Sequence, residues 1–137
     1  MITVRQELET KLKAFADAQV PVVPIAFEDT SFTKPTNSPF LECVIAPAAT
    51  ANPYIDGNRI QELGVMQVNV WYPSGQGAGK GEALANKVIA HFPVVPISGT
   101  VVVTQTPFKS RAIKDESGWR IVPVTINYRQ EGEVIAT

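Results

Sequence analysis

The stretch ELGVMQVNVWY (residues 62–72) decides the fold, because its side chains alternate with a period of two. Met66, Val68, Val70 and Tyr72 fall on one side, and Gln67, Asn69 and Trp71 on the other. A strand buried on both faces reads as one continuous apolar run, so alternation of this kind marks an antiparallel strand with one face packed. Two further stretches repeat it. Phe40 to Pro47 sets Leu41, Cys43 and Ile45 together, and Trp119 to Gln130 does the same for Val122, Val124, Ile126 and Tyr128. Thr100 to Thr106 and Phe108 to Lys114 add shorter β-rich segments, and Asp115 to Gly118 supply a hairpin turn. Pro123 has no N–H for a ladder, so it marks a bulge or a position where no bond is needed.

Outward from these strands lie two helices. In residues 3–19, Thr3 can cap with Gln6 three positions on, and Val4, Leu8, Leu12, Phe15 and Ala16 share a face. Burying the four larger of these contributes roughly 6–12 kcal/mol gross, at about 1.5–3 each, so the helix must pack on something. Pro21 ends it. The second helix runs from about Lys80 to Phe92 on a stripe of Leu84, Ala85, Val88, Ile89 and Phe92, and Pro93 and Pro96 stop it. Residues 20–27 (VPVVPIAF) carry two prolines and fit an edge strand or extended crossing, and residues 28–39 read as a loop. Residues 48–61, with Asn52-Pro53 and Asp56-Gly57, read as a long functional or mobile loop, and the glycine-rich 73–81 as a second. The whole is α+β: two α-helices packed on a mainly antiparallel β-sheet with long loops, one domain over residues 1–137.

Composition narrows the function. A chain of 137 residues, 45% hydrophobic, buries about two thirds of its extended surface and needs no staples. Twelve basic against thirteen acidic residues give no electrostatic reason to expect nucleic acid or an anionic membrane as partner. One cysteine and one histidine exclude an internal disulfide and a conventional zinc finger. The N-terminus lacks a signal-peptide layout, and no apolar run approaches the ~20 residues of a membrane span. A soluble chain made inside the cell is expected.

Each chemical motif has a simpler competitor. The run Gly75-Gln-Gly77-Ala-Gly79-Lys80-Gly81 lies between strand and helix, as a phosphate loop would. A Walker A loop needs four residues before Gly-Lys and a hydroxyl residue after it; here there are three, then Gly81. The dinucleotide fingerprint fails at Lys80. The run is then a flexible loop whose glycines allow close approach of another subunit. His91 sits in the last turn of its helix, where positive character suits the helix dipole. Neither it nor Ser74 has the partners of a catalytic triad. Cys43 reads as a small core residue, and Glu28-Asp29 and Asp115-Glu116 as solvated turn charges. Lys109, Arg111, Lys114, Arg120 and Arg129 make the C-terminal hairpin basic, either for an acidic partner or as an ordinary solvated face. Trp71 and Trp119 oppose the buried registers of their strands. Either a helix covers each sheet face, or these rings meet another subunit.

Four segments, IAFEDTSFTKP (25–35), FLEC (40–43), VNVWYPSG (68–75) and ALANKVIAHF (83–92), following an opening amphipathic helix, resemble the tail terminator family of long-tailed phages and prophages. Many relatives carry Trp-Pro-Asn where this chain has Phe27-Glu28-Asp29. The resemblance implies a structural, non-enzymatic tail protein whose copies close into a hexameric ring on the tail tube. Such a ring stops tube polymerisation and offers a surface for head–tail joining. It implies the tail-tube protein and the head–tail connector as partners, no cofactor, and a place in the virion tail after assembly in the host cytoplasm. Expected interface residues are Tyr54, Asp56, Arg59, Trp71, Gly75, Gly77, Gly79, Lys80 and Trp119. Competing readings are another head–tail connector, a tail-tube component, or a small phosphate-binding protein using residues 75–81.

Overall fold

The computed structural model describes residues 4–19, 22–35, 38–51, 59–75, 78–94, 97, 101–114 and 118–133. Among the described residues two helices, α1 (Val4–Asp17) and α2 (Ala78–His91), accompany seven strands. These are β1 (Ile25–Ala26), β2 (Phe40–Ala51), β3 (Arg59–Pro73), β4 (Val101–Val103), β5 (Phe108–Lys109), β6 (Ile113–Lys114) and β7 (Trp119–Glu133). They form one sheet in the order β1-β2-β3-β7-β4, with β5 and β6 also pairing β7. Among the described residues β1 alone runs parallel to its neighbour, and the other pairings are antiparallel. The α+β expectation holds.

The alternation that announced the strands is the alternation of burial. Leu41, Cys43, Met66, Val68, Val70, Val122, Val124 and Ile126 are buried together with Leu8, Leu12 and Phe15 of α1, Val88 of α2 and Phe92 just after it. Both helices therefore share one face of the sheet and touch each other, and among the described residues no helix lies on the tryptophan face. His91 joins them. Its Nε2 donates to the Lys11 carbonyl at 2.9 Å, and its ring packs 5.3 Å from Phe15. Burial is the main cause that lowers its pKa, outweighing that hydrogen bond. It thus packs between the two helices in the last turn of α2, its pKa held below the usual imidazole value. Cys43 is a core residue as expected, 1% exposed, and burial pushes its thiol up to about 12.

Two glycines make the packing possible by close approach. A Cβ on Gly81 would run into the Tyr72 ring, and one on Gly64 into the ring of Tyr128, its partner across the ladder. Pro123 sits inside β7, opposite Asn69. A residue in an antiparallel strand aims N–H and C=O the same way. The Pro123 carbonyl accepts from Ser110 N at 2.8 Å, so its missing donor falls where residues 110–112 leave the ladder between β5 and β6. That is the gap a proline requires.

The expected loop 48–61 is shorter than its turn residues implied. β2 continues to Ala51 past a bulge between Pro47 and Ala49, and β3 starts at Arg59 because β7 templates it through Arg59↔Glu133. Residues 52–58 lie outside the described residues. Likewise α2 begins at Ala78, so Gly79, Lys80 and Gly81 belong to its first turn and not to the loop before it. The segment 108–114 is two short strands, not one.

Candidate functional site

On the face away from the helices, ladder pairing builds rows of side chains. One row is Phe40, Trp71, Ile121 and Ile113; another is Val44, Gln67, Thr125 and Phe108. Aromatic rings cluster at the end of the first row. Phe40 stacks on Trp71 with centroids 5.3 Å apart and meets Trp119 edge-on at 5.2 Å, while the two tryptophans lie 6.4 Å apart. The chain between β1 and β2 crosses over this end. It sets Phe32 5.2 Å from Phe40 and the Lys34 ammonium 4.6 Å above the Trp71 ring. A cation over an indole face gains roughly 0.5–1 kcal/mol at exposed sites.

Polar atoms here are tied to one another. The Glu42 carboxylate accepts from Asn69 Nδ2 at 2.8 Å and from the Trp71 indole N–H at 3.4 Å, and Gln67 donates to Asn69 at 2.9 Å. Fixing these groups in advance lowers the ordering cost of association. Beyond the cluster Val44, Phe108 and Ile113 stay exposed, the last at 55%. Aromatic, amide and aliphatic side chains with few charges are what protein–protein contacts favour.

The expected site residues divide between two places. Trp71 and Trp119 belong to this cluster, each half-buried. Next to them, Ser74 N donates to the Gly118 carbonyl at 2.9 Å, Gly75 takes a left-handed φ of 90°, and exposed Gly79 and Lys80 open α2. Arg59 lies at the far end of β3, twelve residues from Trp71, or roughly 40 Å along the strand. Tyr54, Asp56 and Gly77 lie outside the described residues. Sequence reasoning missed Phe40, although its alternation with Leu41 and Cys43 puts it on the tryptophan side. Phe32 and Lys34 carried no such signal, since only the tertiary crossing brings them there. Among the described residues no group of acidic, histidine or cysteine side chains could hold a metal, and no helix is long and apolar enough to cross a membrane.

A family model described as phage tail terminator protein matches residues 3–128. The chain belongs to the phage tail terminator family. One solved structure, 29% identical, superposes with a TM-score of 0.76 over 98% of this chain and 95% of the other. No curated protein matches the chain. This tail terminator is accordingly a structural phage tail protein of the virion tail, and its partners are tail and head components.

Proposed function

We propose that this tail terminator, acting as a single domain, closes into a ring of six copies on the tail tube. The ring stops tube polymerisation and offers its free side to the head-side connector. Copies join before or on the tube in the host cytoplasm, and the role needs no cofactor, membrane or direct nucleic-acid contact. A closed ring requires two different patches on each subunit. The observation that carries the reading is the tethered, half-buried aromatic end of the sheet face opposite the helices, placed beside the Gly75 turn and the start of α2 in a chain of this family.

Electron microscopy of the purified protein mixed with tail tubes tests it. Rings seated on tube ends are expected, whereas open-ended polymers of the protein itself would show a tube component instead. Trp71→Ala removes the ring that Phe40, Trp119 and Lys34 all contact. It should abolish capping while circular dichroism stays that of the folded protein; undiminished capping would remove the aromatic end from the contact.

A further inference from the structure

Lys87, Lys109 and Arg111 project basic side chains into solvent. Sheet order puts β1 on one lateral side and β5 and β6 on the other. Arg5 ties α1 to the Phe27–Thr30 turn on the first side, and α2, lying over β3 and β7, reaches β5 on the second through Asn86 and Lys109. These edges differ in charge. Residues 78–113 carry four basic side chains against one acidic, and Lys87, Lys109 and Arg111 are all exposed. Residues 4–31 carry five acidic against three basic, with Asp17, Glu28 and Asp29 exposed. Arg5 pairs with Glu9 and Glu28 and Lys13 with Asp17, so the edge presents a surplus of two negative charges over these internal pairs.

The acidic edge is closed to strand addition. The Ile45 N–H, which would bond an incoming strand, donates to Glu28 Oε1 at 2.7 Å, and the same oxygen lies 3.0 Å from Arg5. Two residues on, Pro47 has no N–H and a bulge follows it. A lateral contact here must work through side chains, where complementary charge orients partners and speeds encounter. The two edges lie on opposite sides of one subunit, so they cannot meet within it. Between copies they match head to tail, the heterologous arrangement that closes rings.

We propose that the basic α2/β5–β6 edge of one copy docks on the acidic α1/β1 edge of the next. This rests on the ring reading above and adds which surfaces meet. Two proteins test it on tail tubes: Lys87→Glu with Arg111→Glu, which makes both edges acidic, and Glu9→Lys with Asp17→Lys, which makes both basic. All four positions are on helix or loop surfaces away from the core, and circular dichroism verifies folding. Each protein alone should cap at least tenfold fewer tube ends than the unaltered protein. An equal mixture should restore capping, because alternating copies pair every edge with its opposite and a six-membered ring closes evenly. Raising salt from about 0.1 to about 1 M shortens the Debye length from about 10 to about 3 Å and should weaken capping by the unaltered protein. If either altered protein caps normally by itself, or the mixture of folded proteins fails to cap, the edge assignment is overturned while the ring reading stands. If the unaltered protein never caps, the ring reading falls first.

Discussion

The two faces of the sheet are made by the same three long strands, yet they solve different problems. On the helix side, Met66, Val68, Val70, Val122, Val124 and Ile126 are at most 1% exposed and are met by side chains from both helices. On the other, the Phe32–Lys34 crossing covers only the aromatic end, Val44, Phe108 and Ile113 face solvent, and polar groups hold one another. The first face provides stability; the second is kept ordered and available. Substitutions should separate these roles.

The largest effect belongs to the helix side. Phe92→Ala, at a fully buried ring, should cost about 3–5 kcal/mol in denaturant unfolding. Next comes the contact that seats α2 on the sheet. Gly81→Ala places a methyl group against the Tyr72 ring, and a loss of about 1–3 kcal/mol is expected. A smaller effect follows from His91. Its pKa is lowered in the folded protein, so the unfolded chain binds more protons in the acidic range, and stability should fall as pH drops below about 6.5. Melting curves from pH 7.5 to 5.5 should show that decline, and His91→Gln should reduce it. Smallest of all, Phe108→Ser or Ile113→Thr on the open face should shift stability by only about 0.5 kcal/mol or less. A large loss from either would mean that the outer face also holds the fold together.

Much of this contrast was legible from the residues. Alternation through Tyr72 exposed β3 and its buried side, and helical spacing of Leu8, Leu12 and Phe15 exposed α1, because both patterns are local. The far ends of β2 and β3 were not legible. Asn52-Pro53 and Asp56-Gly57 are strong turn signals, and only pairing with distant β7 carries the strand back to Arg59. Which sheet face the helices take was likewise open, since each helix pattern says that it packs but not where. For the candidate site, Trp71 and Trp119 declared themselves by facing the wrong way. Phe32 and Lys34 did not, because an irregular crossing has no period to read. The basic stretch was visible as composition, but its place along one edge depends on sheet order.

The Gly64–Tyr128 pair has a consequence for how the long ladder is found during folding. β3 and β7 both place apolar residues at every second position, so sliding one past the other by two residues would keep the same sides buried. Such a slip would set Tyr128 opposite Met66 or Glu62, where a side chain occupies the space its ring needs. One glycine and one tyrosine thereby act as a keyed joint, leaving a single alignment in which fifteen rungs can close.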